Sequence, residues 1–148
     1  VKEEFMSVSV QVSEVIDRAV ADVFRFYAIE HVRNHPRWDP NMQLEQITVG
    51  PIGVGTIIKR INSRSGTPVE GTMEIVEFKP NQALGMVIHD GPVEMRGRAT
   101  LEAESGDRTK LIFDLEIPGM DESLDTSLLA SQMQGSLQNI KQLIESEL

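Results

Sequence analysis

The chain changes its hydrophobic period near residue 120, and that change limits what it can fold into. From Leu44 to Ile117 it is a series of short apolar-alternating runs, each stopped by a cluster of Gly, Pro, Asn or Asp. The runs are Leu44 to Val49, Thr56 to Asn62, Val69 to Phe78, Leu84 to His89, Val93 to Ala103 and Leu111 to Ile117. Between them stand Gly50-Pro51-Ile52-Gly53-Val54-Gly55, Ser65-Gly66-Thr67-Pro68, Lys79-Pro80-Asn81-Gln82, Asp90-Gly91-Pro92 and Ser105-Gly106-Asp107. These are turn signals too short for a crossover helix. Strands joined this tightly pair antiparallel, because parallel neighbours need a dozen or more connecting residues. The run is therefore a meander. After it, Leu124, Leu128, Met133, Leu137, Ile140 and Ile144 recur at helical spacing, predicting one helix over 122–147. At 1.5 Å per residue it would be about 37 Å long, enough to cross a sheet. Gly135 within it marks a close approach or a bend.

The front of the chain adds a strand and two short helices. Met6, Val8, Val10 and Val12 alternate with polar residues, a strand with one covered face. Val20, Val23, Phe24, Tyr27 and Ala28 then follow three- and four-residue spacing, with Asp17 as a cap just before them. A second helical turn is expected from Ile29 to Asn34. Pro36 should end it, since the residue before a proline is pushed out of the helical region. No repeat or linker interrupts the 148 residues, so one domain spanning 1–148 is expected.

The charge balance is 14 basic against 23 acidic residues, a net of -9, which disfavours nucleic acid or an anionic membrane surface as partner. No cysteine is present, which removes disulfides, thiolate metal sites and a Cys nucleophile. No apolar run approaches the roughly 20 residues of a membrane helix. Val1-Lys2-Glu3-Glu4-Phe5 carries two acids and is unlike a signal peptide, so a cytoplasmic location is expected. The first residue is not Met, so a short piece is expected upstream. Nothing in the sequence sets the oligomeric state, and a homodimer stays open.

This order of elements resembles the START-like or Bet v 1-like superfamily, and within it the polyketide cyclase/dehydrase and lipid-transport group. Four segments carry the resemblance: Val20-Ala21-Asp22-Val23-Phe24, Pro36-Arg37-Trp38-Asp39-Pro40, the loop Gly50-Pro51-Ile52-Gly53-Val54-Gly55-Thr56, and Val76-Glu77-Phe78-Lys79-Pro80-Asn81. The proline usual before the first of these is absent. The resemblance spans nearly the whole chain. It implies an α+β helix-grip fold, with an antiparallel sheet of six to seven strands curved around the long C-terminal helix and a cavity between them. Such a fold hosts carriers, sensors and enzymes alike.

The cavity wall can be read from strand parity. Val93, Met95, Gly97, Ala99 and Leu101 share one face of their strand, and Leu111, Phe113, Leu115 and Ile117 share one face of the next. Met73, Ile75, Leu84, Met86 and Ile88 extend this surface. Gly97 and Ala99 leave space on it, and methionines (Met73, Met86, Met95, with Met120 and Met133) adapt to varied apolar ligands. The candidate ligand-binding residues are Trp38, Met73, Ile75, Met86, Ile88, Met95, Gly97, Phe113, Leu115, Met133 and Leu137; each taken singly reads first as plain core. Access would run past Trp38, the Gly50 to Gly55 loop or Gly119-Met120-Asp121.

Catalytic candidates are few. Arg96, Tyr27 and Asp39 are the polar groups considered for a cyclase or dehydratase. Register puts Arg96 and Arg98 on the solvent face, and a cyclase reading needs Arg96 turned inward by a bulge. Asp39 before proline reads first as a turn residue. His31 and His35 are spaced i, i+4, as in a two-histidine metal site, but no third ligand is near in sequence, so no metal is expected. His89 points away from the cavity by parity. No Ser-His-Asp set and no P-loop is found, and Gly50-x-x-Gly53-x-Gly55 lacks the order and following helix of a dinucleotide site, so no cofactor is expected. The leading expectation is reversible binding of a small hydrophobic molecule, a lipid or polyketide-like metabolite. A cyclase or dehydratase and a co-chaperone-like interaction module are the alternatives.

Overall fold

The structure is a computed structural model describing residues 7–119 and 126–148. Met6, Met120, Asp121, Leu124 and the expected helix start at 122 lie outside the described residues. Seven strands form one antiparallel sheet: β1 (Ser7–Ile16), β2 (Met42–Gln46), β3 (Ile57–Asn62), β4 (Val69–Lys79), β5 (Ala83–Asp90), β6 (Val93–Glu104) and β7 (Arg108–Pro118). Their order across the sheet is β1-β7-β6-β5-β4-β3-β2. The meander thus runs in sequence from β2 to β7, and β1 closes it on the far side of β7. Helices α1 (Val20–Phe24) and α2 (His31–Trp38) follow β1, and α3 (Ser127–Glu147) is the long C-terminal helix.

Leu137, Ile140 and Ile144 of α3 are fully buried. Each contributes about 2 kcal/mol by leaving water, which holds the helix on the sheet. Leu128, expected on that face, is 67% exposed, while the half-buried Leu129 packs inward with Met133. The inward stripe therefore runs 129, 133, 137, 140 and 144, half-buried at its first two positions and fully buried after them. Gly135 marks no close approach, since a Cβ placed there would meet nothing within 4 Å.

The two short helices depart from expectation in three ways. Asp17 caps nothing: Ala19 is the N-cap of α1 without a side-chain bond, and the Asp17 amide donates to Glu145 instead. Arg25–Ile29 forms a π turn closed by the Glu30 amide on the Arg25 carbonyl at 2.9 Å. Its extra residue brings Phe26 to the covered side along with Ala28. Pro36 lies inside α2 rather than ending it. Side-chain anchors hold that turn: Asn34 Nδ2 donates to the Phe26 carbonyl (2.9 Å), His31 and His35 bond through their rings, and Asn139 of α3 donates to the Trp38 carbonyl (3.0 Å).

β2 and β4 also differ from expectation. β2 is Met42–Gln46, and Ile47 and Val49 beyond it are exposed, in a loop tied by Gln46 Nε2 to the carbonyls of Thr48 and Gly50. In β4 the register shifts between Ile75 and Glu77, so Val76 is an extra residue. The bulge turns Glu77 outward and brings Phe78 opposite Leu84 on the inner face.

Candidate functional site

The concave face is built in rows. Val10, Leu115, Gly97, Met86 and Ile75 lie side by side across five strands, flanked by the row Ile58, Met73, Ile88 and Met95. Apolar packing divides here. A main core holds Ile16, Phe24, Leu84, Leu111 and the end of α3, and a smaller one joins Val8, Val10 and Ile117 to Leu129 and Met133. Between sheet, α2 and the first half of α3 lies a cavity of about 220 Å³. Gly97 lines this space, and a Cβ there would make ordinary contacts, 3.6 Å from Ile88 Cδ1, 3.9 Å from Met86 Cγ and 4.0 Å from Leu115 Cδ1. Leu129, Gln132, Met133 and Ser136 of α3 line the cavity and are only half-buried.

Of the sequence-predicted ligand residues, Trp38, Met73, Met86, Ile88, Met95, Gly97, Phe113, Leu115 and Met133 line the cavity. Ile75 and Leu137 do not; both are fully buried in the main core. Tyr27 and Asp39 line it as well. Arg96 does not: its side chain is 59% exposed on the convex face beside Glu94 and Glu116. No bulge interrupts β6 against its neighbours, so Arg96 keeps the outward parity of its strand. His89 is likewise outward, with Nε2 3.2 Å from Glu94 Oε1.

One end of the cavity is polar in a way sequence reading missed. Arg60 is 6% exposed, and its guanidinium grips Asp90 through Nε (2.7 Å) and Nη2 (2.8 Å), while Asn62 Nδ2 donates to the same carboxylate at 3.0 Å. Arg60, Gly71 and Asp90 are row neighbours, so the arginine reaches across a glycine to its partner. A Cβ on Gly71 would fall 1.7 Å from the His89 carbonyl oxygen, which leaves glycine as the residue that fits. Burial alone would raise the Asp90 pKa. The hydrogen bonds from Arg60 and Asn62, with the charges of Arg60 and Arg64, outweigh it and hold the carboxyl below its ordinary value. Arg64 pairs with Asp39, whose other oxygen accepts from the Asn41 amide at 3.2 Å, so Asp39 serves the turn and the cavity together. In sequence, Asp90 reads as a turn residue and Arg60 as one cation of a mixed strand. The only signal was the shared parity of Ile58, Arg60 and Asn62.

Beside these pairs stands a ring cluster. Trp38 is 4% exposed and stacks with Tyr27 (5.4 Å, 17°) and with His35 (5.0 Å, 16°). His31 is buried against all three rings. Its Nδ1 lies 2.7 Å from the Tyr27 carbonyl oxygen, and its Nε2 lies 3.0 Å from His35 Nδ1. Burial drives the His31 pKa down to about 4, with Arg60 pushing the same way against the Tyr27 bond. Burial also holds His35 well below its ordinary value, helped by His31, Arg60 and Arg64. Burial raises the Tyr27 phenol, so it stays protonated. Both nitrogens of His31 are used within the protein, and no group of three ligating side chains forms among the described residues.

An antiparallel sheet curved on a long helix, with two short helices after β1 and a cavity at the grip, decides the fold. The chain has the Bet v 1-like helix-grip fold. Solved structures align over nearly its full length. Ara h 8.0201 matches with a TM-score of 0.77 and 14% identity over 96% of this chain and 100% of that one. A protein from Chromobacterium violaceum matches at 0.71 and 15%, over 93% and 97%. Norcoclaurine synthase from Thalictrum flavum, in complex with dopamine and hydroxybenzaldehyde, matches at 0.71 and 14%, over 97% and 89%. No family model and no curated protein matches the sequence. Among the described residues, no helix is long and apolar enough to cross a membrane.

Proposed function

We propose that this chain reversibly binds a compact, largely apolar small molecule in the cavity between sheet and α3. The observation that supports this reading is the cavity between sheet and α3, lined by Gly97, several methionines and Phe113. About 220 Å³ is below the roughly 300–1,000 Å³ of drug-sized pockets, which favours a small metabolite over a long acyl chain. Burial of apolar ligand surface at about 25 cal/mol per Å² supplies the affinity. Turnover of cyclase or dehydratase type in the same cavity is the second reading, supported by the convergence of Tyr27, His35 and Asp39 there. An interaction module built on a filled interior is less well supported, because the interior has this opening.

The test is thermal unfolding against a panel of flavonoids, aromatic polyketides, sterols and fatty acids. A ligand at 100 times its dissociation constant adds about 2.7 kcal/mol, a rise of several degrees. Gly97→Leu should place its side chain in the cavity, stay folded and lose the response. An unchanged response in that variant, or no response of the native protein to any of the panel, would overturn the assignment.

A further inference from the structure

The hydrogen bonds around His31 fix where each imidazole proton sits. A carbonyl oxygen only accepts, so the 2.7 Å contact with Tyr27 requires the proton on His31 Nδ1. In the neutral ring His31 Nε2 then carries a lone pair, and the 3.0 Å contact with His35 requires the proton on His35 Nδ1. His35 Nε2 is left with its lone pair. No described residue bonds to that nitrogen, and no buried side-chain nitrogen among the described residues lacks a partner, so this one is not sealed in the protein but open to the cavity that His35 lines. The orientation runs one way, from His35 through His31 to a backbone oxygen that cannot reverse it. The surrounding charges are already matched. Arg60 pairs with Asp90 and Arg64 with Asp39, so the described charges at this end of the cavity balance and leave no surplus to attract an ionic head group. Both rings are neutral at pH 7, since their pKa values lie well below it.

We propose that the cavity selects neutral ligands carrying an O–H or N–H donor, with His35 Nε2 as the acceptor and His31 as the positioning residue that fixes its tautomer. The inference rests on the binding reading above and adds the ligand's polar group to it. A donor is recognised because it meets a lone pair held in place. An ether or a ketone in the same position meets that lone pair with one of its own.

The experiment compares 2-naphthol with 2-methoxynaphthalene on the full chain, by calorimetry or ligand fluorescence at pH 7. Native protein should bind the naphthol at least about tenfold more tightly than the ether, and His35→Phe should bring the two within about twofold by removing the acceptor while keeping a ring beside Trp38. Equal affinities in the native protein would overturn the donor selection and leave the binding cavity standing. Failure to bind either compound would count against both. A second measurement does not depend on the variant folding: long-range ¹H–¹⁵N spectra of the native protein, with exposed His89 as internal reference, should show His31 and His35 both protonated at Nδ1. A proton on His35 Nε2 would overturn the proposal.

Discussion

A histidine enclosed by Tyr27, His35 and Trp38, with no described carboxylate bonded to it, is a liability in acid. His31 drops from 6.5 to about 4 on folding, so between those values the unfolded chain binds a proton that the native one does not. Stability is therefore fully present above about pH 6.5 and is lost as pH falls towards 4, by up to about 3 kcal/mol. Urea denaturation at pH 7 and pH 5 should show the native protein losing about 2 kcal/mol more than His31→Asn over that interval. An equal loss in the two proteins would show that His31 already takes up its proton in the native state. The i, i+4 spacing of His31 and His35 was legible in sequence, and so was their shared face. Their hydrogen-bond direction was not, because it depends on the Tyr27 carbonyl that the π turn presents to the ring. Arg60 was illegible for another reason: in Ile57–Asn62 both faces carry isoleucine and a cation, so alternation alone does not say which face is inner.

At the scale of elements, periodicity named the strands and helices well and missed local exceptions. Pro36 should break a helix on backbone grounds, and α2 continues through it because Asn34 is tied to the Phe26 carbonyl and Asn139 of α3 to the Trp38 carbonyl. The bulge at Val76 has no signature in the alternation of β4, yet it decides that Glu77 faces out. In α3 the glycine is a weakness without a structural purpose. Gly135 has no positive φ and open space where a Cβ would stand, so Gly135→Ala should stabilise the fold by about 1 kcal/mol and raise Tm by about 2–4 °C. Because residue 135 is exposed, ligand response should stay as it was; a lowered Tm would mean the helix needs its glycine.

At the scale of the whole molecule, the sheet's two faces repeat one device. On the inner face Arg60 crosses Gly71 to Asp90, and on the outer face Arg98 crosses Gly85 to Glu77 at 2.7 Å and 3.1 Å. The Arg98 hydrogen bond pulls Glu77 down to about 2, burial opposes it and Lys79 assists. That pair nonetheless faces water, with the Arg98 side chain 47% exposed against 7% for Arg60. Asp90→Asn should therefore cost about 3 kcal/mol by leaving a buried guanidinium unmatched, and Glu77→Gln about 1 kcal/mol or less. Denaturant midpoints of the two variants check the contrast. Equal costs would mean that Arg60 is reached by solvent in the folded state.

The order of elements, the antiparallel meander, the long closing helix and the apolar face that becomes the cavity wall all follow from local pattern, since turn residues and side-chain period are properties of neighbours along the chain. The polar end of the cavity does not. Arg60 and Asp90 stand 30 residues apart, and Arg64 and Asp39 stand 25 apart. The register of β3, β4 and β5 sets the first pair across Gly71, and the packing of α2 against β2 sets Asp39 near the same end. Whether Gly97 leaves a gap or a neighbour fills it is likewise settled by how far α3 stands from the sheet, a distance set by every side chain between them and by no segment alone.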